Sequence, residues 1–364
     1  RILNTAAITA TATATTNTNN KAITIGGATD ASDILSAHAT TAGLLGGEDH
    51  DWLRNDGEID VAASANSTVT SSSITIFGTA SAGGQVTTDP ETTGMDGGTG
   101  DDYLENRGSV LADTTVTMTL NNSTFTLGGT GTANGSLQAS ATSKGMVGDT
   151  GHDAILNYGL LDIDASSTLT STGNTRVIFG SANIGITSTA NPFSIGIEAG
   201  AGDDHIGNYS TIDVFSSATT TTNRTSYSFA GTASGGAVID ANATSVGVDM
   251  GGGENKIYNE GDVLVAARAV LTATGGTEAT FGNARTNASA EATTQADGIS
   301  SRDERDRVYN LGLISVTATS NATASNNSNT GFLFGQAETR SDSQIQANAY
   351  GMAPVSYTHL TLPT

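Results

Sequence analysis

A fixed period of 51 residues runs through the chain and limits what it can fold into. An asparagine recurs at this interval, at Asn55, Asn106, Asn157, Asn208, Asn259 and Asn310. A glycine twelve positions before each asparagine keeps the same interval, and Gly351 opens a further copy. Repeats that hold one register are typical of stacked architectures, in which each unit buries its apolar face against its neighbours. We therefore expect one elongated repeat domain rather than several globular ones.

The recurring glycines also set the expected boundaries. We expect a single repeat domain over residues 1–354, in which residues 1–42 form a partial unit. The following units lie near residues 43–93, 94–144, 145–195, 196–246, 247–297 and 298–350. Residues 355–364 break the pattern and resemble the translation of a sequencing adapter, so we expect this tail to be non-native and exclude it from the fold prediction.

The residues after each asparagine alternate between apolar or small side chains and polar ones. Ile59, Val61 and Ala63 show this period of two, and so do Leu161 and Ile163. Such alternation predicts half-buried β-strands, and helical spacing is absent. The sequence therefore predicts an all-β fold, a parallel β-solenoid of β-helix or β-roll type built from 51-residue repeats.

The number of coils in each repeat stays open at this point. A single coil would be wide and flattened, with facing strands about 10 Å apart, whereas two coils of about 25 residues each would be narrower. An antiparallel alternative also exists, because Gly83-Gly84 and Asn134-Gly135 are typical of hairpin turns. Clusters such as 121–123 predict a further turn in each unit. We favour the parallel arrangement because the glycine loop recurs at one phase.

In a parallel stack, like residues would lie above one another. We expect the asparagines to form a ladder in which each side-chain amide bonds to its neighbours in the adjacent units. A phenylalanine near a glycine also recurs, and we expect these residues to form an internal column: Phe77, Phe125, Phe179, Phe229, Phe281 and Phe334.

The charge balance limits the partners of the chain. Asp and Glu number 36 against 14 Lys and Arg, which gives a net charge of −22. Nucleic acid is therefore not expected as a partner, because phosphate binding requires clustered cations. There is no cysteine, and no stretch is long and apolar enough to predict a membrane span.

The glycine loop before each asparagine carries the candidate chemistry. Residues 97–104 read GGTGDDYL and resemble the nonapeptide of the RTX, or haemolysin-type, calcium-binding family, which runs Gly-Gly-x-Gly-x-Asp-x-apolar. Residues 148–155 and 199–206 each depart from this motif at one glycine, and residues 46–53 lack the third glycine. Asn255 replaces the aspartate in the next copy, and the loop at 301–308 has lost its glycines, so we expect that last loop to bind nothing.

The resemblance implies calcium, held by carboxylate and carbonyl oxygens, which are the ligands that this ion prefers. The implied ligands are Asp102, Asp153 and Asp204, with Asp51 as a further candidate, Asp101 and Asp203 as helpers, and the carbonyls of Gly98, Gly100, Gly151, Gly200 and Gly202. The motif occurs once in each repeat, so ions can be shared between loops only if one repeat is one coil, with loops about 4.8 Å apart. The alternative is a glycine turn made soluble by aspartates.

These features favour a secreted or cell-surface bacterial repeat protein, adhesin-like or RTX-like, with a structural or attachment role outside the cell. We expect calcium as a partner, and a polysaccharide of a cell surface or matrix as a second one. Catalysis needs one place where unlike residues converge, and near-equal units offer none, so we do not expect an enzyme. The alternatives are a β-helix enzyme that acts on polysaccharides and a segment of a phage fibre.

Overall fold

The computed structural model describes residues 1–301, 305–330 and 335–354, and all regular elements in these ranges are β-strands. Short strands form one narrow sheet: β1 Ile2–Asn4, β4 Trp52–Asn55, β7 Tyr103–Asn106, β10 Ala154–Asn157, β13 His205–Asn208, β15 Lys256–Asn259 and β17 Arg307–Asn310. Long strands form the broad part: β2 Ala7–Ala37, β5 Glu58–Thr88, β8 Ser109–Ala139, β11 Leu160–Ala190, β14 Ile212–Asp249, β16 Val263–Ser301 and β18 Ile314–Thr330. The remaining strands lead towards the glycine loops or pair with the end of β16: β3 Thr40–Glu48, β6 Glu91–Thr99, β9 Thr142–Val147, β12 Phe193–Glu198 and β19 Ala337–Pro354.

The strands pair in parallel with their equivalents in the next repeat. Ile59 pairs with Val110, and Asn55 pairs with Asn106, each across 51 positions. The same register joins β8 to β11, β11 to β14 and β14 to β16. The parallel β-solenoid is therefore confirmed, and each repeat forms one coil.

Each of the long strands β2, β5, β8, β11, β14 and β16 folds back on itself at a glycine with positive φ, which we call the tip. Gly78 has φ of 130°. Odd-numbered residues such as Val69 are buried before this point, and even-numbered residues such as Val86 are buried after it. The Ser71 hydroxyl donates to the Gly83 carbonyl at 2.9 Å, so the two halves face each other. We call the part of the coil before the tip arm 1, and the part from the tip to the glycine loop arm 2.

The turns predicted at 121–123 and 134–135 are wrong, because the alternation of buried and outward-facing residues continues through both segments and neither has a positive φ. Parallel neighbours on both sides supply hydrogen-bond partners to the backbone there, so the ladder overrides the local turn preference of asparagine and glycine. The real turn in this coil lies between them, at Gly129, where φ is 130°.

The coils are wider than the described stack is tall. An arm of about 20 residues extends about 66 Å, and seven coils about 4.8 Å apart rise about 30 Å. The described part is therefore a flattened slab, with the glycine loops and the narrow sheet at one edge and the tips at the other. None of the described residues forms a helix able to cross a membrane.

The core consists of columns of like residues along the stack. Leu53, Leu104 and Ile155 form one fully buried column beneath the narrow sheet. The asparagine ladder is also confirmed at its centre, where Asn106 Nδ2 donates to Asn157 Oδ1 at 2.9 Å. Burial of these amides is possible because each finds a partner in the next coil.

The prediction of an internal phenylalanine column is wrong. Phe77 is 61% exposed and Phe179 is 56% exposed, because both precede the tip glycine and project outwards at the turn. Phe125 and Phe229 occupy other registers, and they are also exposed. Phe334 lies outside the described residues.

Candidate metal centre

The glycine loops lie where arm 2 ends and the narrow sheet begins, and they stack directly on one another. Thr99, Thr150, Ala201 and Gly252 form bridges from loop to loop. Gly100 N donates to Thr150 O at 2.8 Å, so the ladder continues through the loops. The loops of successive repeats are therefore adjacent, which meets the condition for sharing ions along the stack.

The loop glycines are required by both turn geometry and stacking. Gly98, Gly100 and Gly151 have φ of 88°, 133° and 143°, which L side chains rarely adopt. A Cβ on Gly151 would overlap the carbonyl oxygen of Gly100, and a Cβ on Gly202 would overlap that of Gly151. The Gly200 carbonyl accepts from Gly252 N at 2.8 Å. These carbonyls, implied as calcium ligands, thus lie against the neighbouring coil.

The aspartates at the sixth motif position form a buried column. Asp102, Asp153 and Asp204 are 3%, 2% and 2% exposed. The Oδ1 of each accepts a backbone N–H from the preceding coil: Asp102 N donates to Asp153 Oδ1 at 2.8 Å, and Asp153 N donates to Asp204 Oδ1 at 2.8 Å. Asp51 lies at the end of the column, where its Oδ1 is 3.8 Å from the amino terminus of Arg1. The structure therefore brings together the four aspartates that the motif singles out.

The second oxygen of three of these carboxylates has no partner. Oδ2 of Asp102, Asp153 and Asp204 is buried and accepts no hydrogen bond within the described part of the chain. In two of these copies it points to the first glycine of the motif, since a Cβ on Gly97 would lie 2.7 Å from Asp102 Oδ2 and a Cβ on Gly148 would lie 2.6 Å from Asp153 Oδ2. The sequence analysis assigned no role to this glycine, although its fixed place at the start of the motif could have indicated one.

Two other copies of the column supply a partner of their own. Asn255 Nδ2 donates to the carbonyl of Met250, five residues earlier, at 2.7 Å. Ser301 Oγ donates to Asp306 Oδ2 at 2.7 Å. Asn255 and Asp306 therefore satisfy their second side-chain atom with a hydrogen bond. In Asp102, Asp153 and Asp204 the same atom has no partner.

Burial and mutual repulsion leave these carboxylates with uncompensated charge. Burial, together with the charges of Asp204, Asp102 and Asp101, raises the pKa of Asp153 to about 7. Burial also raises the pKa of Asp204 to about 6, with Asp203 and Asp306 adding to the effect. Charges stacked in register on parallel strands destabilise the stack unless a cation or a proton neutralises them.

Asp101 and Asp203, which the resemblance implies as helpers, face away from the buried aspartate column. Asp101 Oδ1 accepts His152 N at 2.9 Å, and His152 Nδ1 accepts Asp203 N at 2.9 Å, in an exposed column that also contains His50. Neighbouring residues of an extended chain point to opposite sides, so Asp101 and Asp203 do not join the buried column. No group of three or more His, Asp or Glu side chains arranged around one metal position occurs in the described ranges.

Comparisons with family models, with curated proteins and with solved structures found no match to this chain. The assignment of a role therefore depends on the geometry of the loops.

Proposed function

We propose that this chain is a segment of a secreted or cell-surface bacterial repeat protein, in which a calcium-binding edge stiffens a β-solenoid with a structural or attachment role. The observation that carries the proposal is the buried column of Asp102, Asp153 and Asp204, each with one oxygen unpaired. A divalent cation between coils would neutralise two carboxylates at once.

Calcium suits this donor set better than the other common cations. It takes oxygen ligands in flexible geometries, whereas magnesium requires near-ideal octahedral geometry and releases water reluctantly. The carboxylates of the column lie about 4.8 Å apart, the spacing of parallel strands, so one ion can contact neighbouring coils. Sites of extracellular proteins bind calcium at about 10⁻⁴ to 10⁻³ M, which suits loops that each contribute few ligands.

The test is thermal unfolding of the whole chain in EGTA, in calcium and in magnesium. Ligand that binds only the folded state stabilises it, by about 2.7 kcal/mol per site at a hundred times the dissociation constant. We expect calcium to raise the melting temperature by several degrees and magnesium to raise it less. An unchanged melting temperature at about 10 to 100 mM calcium, a hundred times the expected dissociation constant, would refute the proposal.

The variant Asp153→Asn gives a sharper test, because its effect should change sign. In EGTA we expect it to melt above the parent, since the amide removes a buried charge and can donate to the Gly148 carbonyl as Asn255 donates to that of Met250. In calcium we expect it to melt below the parent. The matched control is Asp164→Asn, which removes an acidic charge from the exposed face of arm 1.

The control separates a specific site from general charge relief. Asp164 also has a raised pKa, of about 6: although the residue lies on the outer face, neighbouring atoms partly desolvate its carboxylate, and Asp162 and Asp113 add negative charge. We expect Asp164→Asn to stabilise the chain in EGTA and to keep the calcium response. If it abolishes that response as fully as Asp153→Asn does, calcium acts only by screening the overall negative charge.

A further inference from the structure

A recess interrupts the outer face of arm 1 a few residues before the tips of successive coils. Its floor is Gly276, which lies in extended backbone and has no atom within 4 Å of the position that a Cβ would take. A cavity of about 500 Å³ surrounds this floor, and its lining includes Arg176, Tyr227, Glu278 and Asn327. We call this cavity the notch. Its volume lies within the range of small-molecule sites, about 300 to 1,000 Å³, and it is remote from the glycine loops.

One aromatic ring forms a wall of the notch. Tyr227 faces outwards, because its neighbour Ser226 is buried and donates its hydroxyl to the carbonyl of Ala182 in arm 2, at 2.9 Å. The Tyr227 hydroxyl lies 3.2 Å from Thr280 Oγ1 in the next coil, so the ring leans over the surface of the sheet instead of pointing away from it. No other ring within the described ranges stacks on it. The ring is therefore available to a ligand.

Charged and amide side chains surround this ring. Arg176 precedes Tyr227 in the same column, one coil earlier, and Glu278 follows it one coil later. Asn327 pairs with Gly276 in the following coil. Among the residues that the structure describes, the side chains of Arg176, Glu278 and Asn327 take part in no hydrogen bond or ion pair. Arg176 and Glu278 lie two coils apart, about 9.6 Å, so the notch has free donors and free acceptors around an aromatic ring.

We propose that the notch binds a neutral pyranose unit of a polysaccharide. A pyranose has C–H groups on its two faces, which pack against an aromatic ring, and hydroxyls around its rim, which need donors and acceptors. Tyr227 packs against one face of the sugar. Glu278 accepts from the hydroxyls, and Arg176 and Asn327 donate to them. The absence of a side chain at Gly276 leaves the space that the sugar occupies.

The charge of the chain favours a neutral sugar over an acidic one. The net charge of −22 repels polyanions such as uronic acid polymers. The notch itself contains one cation, Arg176, and one anion, Glu278, so it has no excess positive charge to attract a carboxylate. Hydroxyl groups can bond to both side chains without any charge to neutralise.

This site would supply the surface for the attachment role and rests on that part of the proposed function, but it does not depend on calcium. The notch lies near the tips, whereas the aspartate column lies at the opposite edge of the slab. Binding is therefore measured in calcium and in EGTA, on chain shown to be folded by far-UV circular dichroism. Sugar binding without a calcium response would refute only the calcium proposal, and the converse would refute only this one.

The first experiment is native electrophoresis in gels that contain a dissolved polysaccharide. The neutral polymers are dextran, mixed-linkage β-glucan and galactomannan, which offer glucose, mannose and galactose units, and the acidic polymers are alginate and polygalacturonate. We expect at least one neutral polymer to retard the chain, with a dissociation constant of about 1 mM for a single open site, and the acidic polymers not to retard it. Unchanged mobility in all three neutral gels, or retardation by the acidic polymers alone, would overturn the proposal.

A variant that fills the notch tests its location. Gly276→Val adds a β-branched side chain to extended backbone with free space around the Cβ, so the melting temperature should not fall. We expect it to weaken binding more than about tenfold. The matched control is Gly236→Val on the outer face of arm 2, where the nearest atom to a new Cβ is 3.7 Å away. Equal binding by Gly276→Val and the parent, or equal loss in both variants, would place the sugar elsewhere.

Two substitutions of Tyr227 separate the ring from its hydroxyl. Tyr227→Phe keeps the ring and loses only the contact with Thr280, so we expect binding within about twofold of the parent. Tyr227→Leu keeps an apolar side chain without a ring and should weaken binding more than about fivefold. Equal binding by the leucine and phenylalanine variants would show that the ring is not the sugar platform.

The polar contacts are tested by Glu278→Ala, with Glu291→Ala on the outer face of arm 2 as control. Each variant removes one negative charge, and its mobility is compared with that of the same variant in a gel without polysaccharide. Glu278→Ala should weaken binding more than about fivefold, because a sugar hydroxyl loses a charged acceptor. Glu291→Ala should bind as the parent does. Equal effects of the two substitutions would overturn the assignment of Glu278 to the site.

Discussion

Removal of one central amide from the asparagine ladder tests the stacking of the coils directly. Asn157 is fully buried, accepts Asn106 Nδ2 at 2.9 Å and donates to Asn208 Oδ1 at 2.9 Å. Replacement by alanine removes both bonds and leaves the Oδ1 of Asn208 buried without this donor. Each lost bond costs about 0.5 to 1.5 kcal/mol and a stranded buried group about 1 to 3 kcal/mol. We therefore expect Asn157→Ala to lower the free energy of unfolding by about 2 to 6 kcal/mol.

Urea unfolding followed by far-UV circular dichroism measures this loss. The matched control is Asn66→Ala, whose side chain bonds only to the partly buried Ser64 hydroxyl at 3.2 Å on the outer face of arm 1. We expect it to change stability by less than about 0.5 kcal/mol. Asn310→Ala removes the bond from a single neighbour, Asn259, and should cost less than Asn157→Ala. Equal losses for Asn157→Ala and Asn66→Ala would refute the idea that the ladder holds the coils in register.

Three further outcomes follow from the loops and the charge. Gly151→Ala should destabilise the fold strongly, because φ is 143° and the new Cβ would overlap Gly100 O. The control Gly276→Ala should not, because no atom lies within 4 Å of its new Cβ. Equal urea midpoints of the two variants would contradict this expectation. The pKa of Asp153 rises from about 3.9 in the unfolded chain to about 7 in the folded chain. Between these two values the folded chain binds more protons, so in EGTA its melting temperature should fall as the pH rises through this window. Asp153→Asn should reduce that fall, and a melting temperature that rises with pH would contradict it. Raising sodium chloride from about 0.1 to about 1 M in EGTA should stabilise a chain of net charge −22, as thermal melting can check.

The repeat made the fold predictable because its information is periodic. The interval between Asn106 and Asn157 determines which residues pair, and alternation around Ile59 determines which face is buried. The position of the turn was not predictable from local preference. Gly84 resembles a hairpin glycine, yet it lies in extended backbone, and Gly78 is the residue of strand β5 that takes positive φ. Contacts between coils decide this, and they are not visible in a single unit.

The candidate site was predictable to the same limited extent. The motif singles out Asp102 and Asp153, and the structure places them in one column. It does not show that Asp101, at the neighbouring position, faces the exposed side instead of helping Asp102. The exposure of Phe77 was missed for a related reason: at a tight turn, alternation loses its phase, and an apolar residue there does not enter the core.

The aspartate column combines a structural role with the proposed calcium role, and the two can be separated. Every copy from Asp102 to Asp306 accepts a backbone N–H from the preceding coil, including Asn255, which has no charge. That contact therefore needs a side-chain oxygen but not a carboxylate. Only Asp102, Asp153 and Asp204 keep a second buried oxygen without a partner, where Asn255 and Asp306 have found one. Because asparagine preserves the first contact and removes the second oxygen, loss of calcium binding in the asparagine variants would not be explained by loss of stacking.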